Sequence, residues 1–259
     1  MTGAPSKITI RGLRKSFGTK EVLRGIDLEI EKGGSLVIIG GSGTGKSVLL
    51  KCILGLVAPD DGEILIDGVN IQKISSHERM RRTREIGMLF QGSALFDSLK
   101  VWENVAFRLI YGEGRAGRTA RARAIDCLAQ VGLPKEVGDL APAELSGGMQ
   151  KRVALARAIA ADPKVLFFDE PTAGLDPITA DVINRLIIDR VKALGATAIS
   201  ITHDMHSAKR IADEIAMLHE GRIIWRGPAS SVEASGNPYV DQFVNGRAEG
   251  PIKMSIKNR

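Results

Sequence analysis

Apolar and polar residues alternate twice near the start of the chain, at Ile8 and Ile10 and again at Ile26, Leu28 and Ile30. That period of two is the mark of a half-buried strand, and it predicts an antiparallel layer built from residues 7–13 and 25–30. An unbroken apolar run at 35–39 has strand length, and 48–54 can continue as a buried helix ending near Gly55. A turn at 59–62, a strand at 63–66 and a second turn at Asp67-Gly68 follow. Another strand, 86–90, leads to Gln91. The pattern then changes to helical spacing at Val101, Val105 and Leu109. A glycine-rich linker at 111–117 and a second helix at 119–131 complete a mostly helical insert over about 92–142.

Ser146 reads as the N-cap of an alanine-rich helix at 149–161, which extends the helical part to about 92–161. A buried strand at 165–168 ends in Asp169-Glu170-Pro171. Asp176 and Pro177 fit the cap and first position of the next helix. A strand at 196–202 ends in His203-Asp204, and 214–218 with 223–226 form a hairpin about Glu220-Gly221. Strands alternating with helices predict an α/β fold with a mainly parallel sheet and its site at the strand ends. Residues 1–245 read as one domain and 246–259 as a tail.

Composition narrows the class. The chain has 259 residues, 44% hydrophobic and 25% charged, as a globular protein has. No apolar run approaches the roughly 18 residues that cross a bilayer, and the first residues lack the apolar core of a leader. A membrane role would come through a partner. The net charge of +6 is modest. The arginines at 79–84 and 115–123 sit among helix formers and read as solvated faces, not as a nucleic-acid surface. Cys52 and Cys127 lack metal-ligand spacing and read as buried free thiols. His77, His206 and His219 read as surface histidines.

The chemistry starts at Gly40-Gly41-Ser42-Gly43-Thr44-Gly45-Lys46-Ser47. This stretch meets the pattern G-x-x-x-x-G-K-[ST] between a strand and a helix. Glycines let backbone N–H groups curl around an anion, and the helix start points its positive end at the same place. Lys46 reaches the outer phosphates, and Ser47 offers a hydroxyl to Mg²⁺. The strand at 165–168 then delivers two carboxylates whose side chains point apart. Asp169 can serve the Mg²⁺ shell, and Glu170 can orient or deprotonate the water that attacks a γ-phosphate. Phe17, at a hairpin before the phosphate loop, can stack on a base.

With Leu145-Ser146-Gly147-Gly148-Met149 added, the chain resembles the ATP-binding-cassette (ABC) ATPases. The motifs stand in the family's order: Phe17, the phosphate loop, Gln91 as the Q-loop glutamine, the signature, Asp169 and Glu170. The D-loop Ala173-Gly174-Leu175-Asp176 and the switch histidine His203 complete it. The resemblance implies a phosphate-loop NTPase core with an N-terminal antiparallel layer and a helical signature subdomain. It implies ATP and Mg²⁺ as ligands. It implies a head-to-tail homodimer in which Ser146, Gly147, Gly148 and Asp176 of one subunit complete the ATP site of the other. Gln91 would sense Mg²⁺ and the attacking water, and His203 would contact the γ-phosphate. Met149 departs from the family, which usually has glutamine there. Phosphate contact runs through backbone N–H groups and Ser146, so binding is expected to survive.

Two stretches resemble a subgroup, the ATPases of Mla-type (maintenance of lipid asymmetry) phospholipid transporters. One is Met88-Leu89-Phe90-Gln91-Gly92-Ser93-Ala94-Leu95-Phe96-Asp97-Ser98-Leu99. The other is the tail at 242–252. The subgroup implies permease partners, an Mce-domain lipid-binding protein and a small STAS-fold regulatory subunit. It implies a position on the cytoplasmic side of the inner membrane, and a tail that reaches the other ATPase subunit. Leu95, Phe96, Leu99, Val101 and Trp102 are candidate apolar contacts for a permease helix, or for the chain's own core. A polar-solute importer and a non-transport ABC ATPase remain open alternatives.

Overall fold

A computed structural model describes residues 5–253. Residues 1–4 and 254–259, the latter the far end of the expected tail, lie outside the described residues.

The first alternation forms a hairpin of β1 (Ser6–Phe17) and β2 (Lys20–Glu31), both longer than the apolar pattern predicts. Pairing outlasts the pattern because bulges absorb its breaks. The register shifts between Ile10 and Leu13, around Gly12 at φ 56°. Then come β3 (Ser35–Ile39), α1 (Lys46–Ile53), β4 (Asp61–Ile66), β5 (Val69–Asn70), α2 (Ser76–Thr83) and β6 (Ile86–Leu89). The helical insert holds α3 (Val101–Tyr111), α4 (Gly117–Gln130) and α5 (Gly147–Ile159). The chain continues through β7 (Val165–Asp169), α6 (Pro177–Leu194), β8 (Thr197–Ile201), α7 (Met205–Ile211), β9 (Glu214–His219), β10 (Arg222–Pro228) and α8 (Pro238–Val244).

Two sheets result. The N-terminal one is antiparallel in the order β2-β1-β4-β5, and the second runs β10-β9-β3-β8-β7-β6. From β9 to β6 all pairings are parallel, and β10 closes one edge antiparallel. The second sheet is buried on both faces. Val37, Ile39, Leu166, Phe168, Ile215 and Met217 face the helices, while Leu36, Ile38, Val165, Phe167, Ala216 and Leu218 face the N-terminal layer. Two-sided burial is why these strands read as apolar runs and not as alternation. The helical insert is the crossover from β6 to its parallel neighbour β7.

Three short helices escaped the apolar pattern. No residue of α2 is buried, so no stripe marks it, although Ser75 caps it by accepting from the Glu78 N–H. α7 and α8 have seven residues each, too few to show a period, and only their caps Asp204 and Asn237 signal them. The arginines behave as solvated faces: Arg81 and Arg82 pair with Glu78, Arg121 with Asp139 and Arg123 with Asp162. Cys52 and Cys127 are buried and free, and burial pushes both thiols up to about 11. Val101 belongs to the chain's own core with no exposure, and Leu95 and Trp102 pack partly against that core. Val101 is therefore not available for docking.

The tail, as far as it is described, turns back on its own chain. The Gln242 side chain donates to the carbonyls of Arg247 (3.2 Å) and Ile252 (3.1 Å) and accepts from the Ile252 N–H (2.7 Å). Ile252 packs on the helical-side core.

Candidate active site

Parallel β3, β8, β7 and β6 end side by side, so the loops that follow them converge. In the register Ile38 pairs with Ile201, Ile201 with Asp169, and Phe168 with Leu89. This brings together the phosphate loop after β3, Thr202 and His203 after β8, Asp169 and Glu170 at the end of β7, and Gln91 after β6.

The loop's glycines are demanded by space as well as by conformation. Gly40 has φ 150°, and a Cβ there would lie 2.2 Å from the Leu218 carbonyl oxygen. Gly45, the left-handed N-cap of α1 at φ 108°, would place a Cβ 3.0 Å from Leu23 Cδ2. Gly43 has φ 75° with open space around it. The Gly40→Ala variant is expected to lose about 1–3 kcal/mol of stability through overpacking. Chemical denaturation checks this, and an unchanged midpoint would contradict the packing argument.

Lys46 folds over the loop and donates to the carbonyls of Gly40 and Gly41, both at 2.8 Å. Burial lowers its pKa, partly offset by Glu170 and Asp169. Asp169 is shifted the other way. Burial raises its carboxyl pKa first and Glu170 second, while Lys46, Lys151 and Lys51 pull it down. The pocket thus brings opposite charges together in a partly buried place. Each favours the charged form of the other, and a phosphate chain would enter against the cation.

Glu170 is buried and in the left-handed region at φ 48°. Its carboxylate accepts from the Thr202 hydroxyl (3.1 Å) and lies 2.8 Å from His203 Nδ1. The imidazole itself is largely exposed. A carboxylate backed by a hydroxyl and an imidazole, beside a phosphate loop, is placed to take a proton from water. Glu170, His203, Thr172 and the D-loop residues Ala173, Gly174 and Leu175 line a cleft of about 300 Å³.

The signature and D-loop fold as helix starts. Ser146 caps α5 by accepting from the Met149 N–H at 3.3 Å. Met149 packs its side chain on the helical core instead of offering a polar group. Gly147 is exposed at the first turn, with Leu175 4.0 Å from a notional Cβ. Asp176 caps α6 through the N–H groups of Ile178 and Thr179, both at 3.0 Å, and the Thr179 side chain first, with these N–H groups, holds its carboxyl pKa low. Phe17 stands exposed at the end of β1, with the Lys15 ammonium 5.4 Å from its ring centre.

Several site residues carried no motif. Thr202 is one. Lys151 binds the Gln91 carbonyl, and Asn104 straps the Q-loop by accepting from the Phe96 N–H (2.7 Å) and donating to the carbonyls of Phe96, Leu99 and Lys100. A polar residue at a core position of a helix, such as Asn104 between Val101 and Val105, was the signal available in the sequence.

Phosphate loop, paired strand-end carboxylates and a second glycine helix start define a nucleotide-hydrolysing cassette. Comparison with known proteins agrees. The ABC transporter family pattern matches residues 23–173. The chain is 38% identical to the intermembrane phospholipid transport system ATP-binding protein MlaF of Escherichia coli (strain K12), covering 95% of this chain and 91% of that one. It is 39% identical to the probable ribonucleotide transport ATP-binding protein mkl of Mycobacterium leprae, covering 96% and 71%. Among solved structures, the ATP-binding cassette MJ0796, as a post-hydrolysis dimer bound to ADP and Pi, superposes with TM-score 0.78. Identity is 32%, over 86% of this chain and 98% of that one. This chain belongs to the ABC transporter ATP-binding family, and it is an ATPase. No helix among the described residues is long and apolar enough to cross a membrane.

Proposed function

We propose that two copies of this chain close head to tail on two ATP molecules and power a transporter that moves phospholipid between two membranes. The observation that carries the hydrolytic part is the convergence of Lys46, Asp169, Glu170, Gln91 and His203 at neighbouring strand ends. In this reading the N–H groups of residues 40–47 wrap the phosphates and Lys46 meets the outer ones. Phe17 stacks on the base. Glu170 takes the proton of the attacking water, and Thr202 and His203 fix its carboxylate. His203 uses Nδ1 toward Glu170, which leaves Nε2 facing the γ-phosphate. Ser146, Gly147 and Gly148 of the other copy close the site, with Asp176 shaping the D-loop beside them.

Ser47, Asp169 and Gln91 offer hard oxygen donors, the class Mg²⁺ takes. Among the described residues no cluster of three acidic, histidine or cysteine side chains gathers, which suits an ion completed by phosphates and water. When bound, it would supply positive charge that offsets the charge of the phosphates.

The lipid assignment rests on the Q-loop and tail motifs together with the relationship to MlaF over most of its length. The Q-loop tip presents a candidate docking surface for a permease helix on the cytoplasmic side of the inner membrane. Phe96 is 44% exposed and stacks on Phe107, with ring centres 4.5 Å apart, and Tyr111 continues the row. Purification of the chain from its native membrane tests the reading. The expected partners are a permease, an Mce-domain lipid-binding protein and a small STAS-fold subunit, with ATP turnover that depends on phospholipid. Recovery with a periplasmic receptor for a polar solute, or ATP turnover that depends on a polar solute and is indifferent to phospholipid, would contradict it.

Truncation after Asn245 removes the partners of Gln242 and, by resemblance, an arm to the other subunit. The expected outcome is a fall in Tm of a few degrees, from a loss of about 1 kcal/mol, and weaker subunit pairing in analytical ultracentrifugation. A truncated chain that melts and pairs as the full one does would remove the tail from both roles.

A further inference from the structure

Two cations on α5 lie outside the phosphate loop, yet they hold the loops that carry Gln91 and Glu170. Lys151 is only 5% exposed. Its ammonium donates to the Gln91 carbonyl and, at 3.4 Å, to the Glu170 carbonyl. Further along the same helix, the Arg157 guanidinium donates to the carbonyls of Ala94 (2.6 Å) and Ser93. The backbone they hold is strained: Ser93, Ala94 and Glu170 have φ of 61°, 47° and 48°. Non-glycine residues in the left-handed region cost on the order of 1–3 kcal/mol each and persist where their surroundings over-determine them. Here the surroundings include the two side chains of α5, whose first turn is the signature.

Lys151 is the more informative of the two. Burying an ammonium is costly, and an apolar side chain could fill the same helix position at no charge penalty. Burial does lower its pKa, while Asp169 and Glu170 oppose the shift. Its three neighbours are the signature helix that carries it, the first residue of the Q-loop and the backbone of the carboxylate beside the phosphate loop. Two carbonyls from separate loops on one ammonium fix those loops relative to each other.

We propose that Lys151 is a positioning residue that locks Gln91 and Glu170 to the signature helix, so that the three move as one body. A displacement of the Q-loop by a docked partner would then reach Glu170 through one side chain, without a change in the phosphate loop. The inference rests on Glu170 acting in hydrolysis, as proposed above. It separates Lys151 from nucleotide binding, which belongs to residues 40–47.

The test uses the full-length chain with Lys151→Met, Lys151→Arg and Lys151→Gln, the last too short to reach both carbonyls. Steady-state ATP hydrolysis is measured together with hydrogen exchange over residues 91–96. A small displacement of a reacting group can cost on the order of a hundredfold in rate. Lys151→Met is expected to lower kcat by about tenfold to a hundredfold, with KM for ATP within about threefold, and to speed exchange at 91–96. Lys151→Arg is expected to recover most of the rate. Should Lys151→Met fail to fold, Lys151→Gln carries the same expectation. An unchanged kcat in the folded neutral variant overturns the proposal. So does a rate loss matched by an equal loss of ATP affinity with exchange at 91–96 unaltered. A wild-type chain that hydrolyses ATP and loses that activity in Glu170→Gln, but is indifferent to Lys151→Met, would sink this inference alone. Full turnover in Glu170→Gln would instead remove the catalytic reading beneath it.

Discussion

Glu170→Gln is expected to bind ATP as the parent does while hydrolysing it about a hundredfold to ten-thousandfold more slowly. That is the range a positioned general base contributes. The substitution keeps the side chain's size and its place beside Thr202 and His203, 3.1 and 2.8 Å away in the parent. It removes the basic oxygen and leaves residues 40–47 untouched. Closed dimers should therefore accumulate, since ATP that is bound but not split keeps the two copies together. Parallel assays of turnover, equilibrium nucleotide binding and dimer mass check all three parts. Unchanged turnover would take Glu170 out of the base role, whatever the fold.

Lys46→Ala is expected to fail one step earlier, at binding. The ammonium lies over the loop through the Gly40 and Gly41 carbonyls, where its charge meets the outer phosphates of an entering nucleotide. Charged hydrogen bonds are worth about 1.5–3 kcal/mol each, so affinity should fall on the order of a hundredfold or more. The loss is aggravated electrostatically. Asp169 and Glu170 lie close enough to act on the Lys46 charge, and without it they repel the triphosphate. The fold should persist, because the glycine geometry of the loop does not depend on the lysine. Calorimetric titration with ATP, alongside a thermal melt, separates the two effects. Near-normal affinity would contradict the phosphate-loop role.

Much of this was legible from residue order, and the reasons differ by element. The central strands announced themselves because both faces are buried, and the caps Ser146 and Asp176 because side-chain chemistry marks helix starts locally. Motif residues were legible because glycine, lysine and carboxylate each answer a specific demand of phosphate chemistry. What stayed hidden depends on contacts distant in sequence or on elements too short to show a period. Lys151 reads as one more polar residue on a helix until the fold brings the Gln91 carbonyl, 60 positions away, against it. Val101 reads equally well as a docking residue or as core, and only packing decides for core. The tail's return onto Gln242 has no sequence signature of its own.

The central claim is that each ATP site takes its phosphate loop from one copy and its signature from the other, and a mixing experiment tests it directly. Gly147→Glu puts a negative charge at the exposed first turn of α5, where acidic residues suit a helix start, so the fold should survive and phosphate closure should not. Lys46→Ala and Gly147→Glu chains should each be inactive alone. Mixed, they should regain hydrolysis. A mixed dimer concentrates both defects in one site and leaves the other whole, so random pairing of two-fold dimers restores about a quarter of wild-type turnover. A mixture as inactive as its separate components, beside an active wild-type chain, would contradict the account.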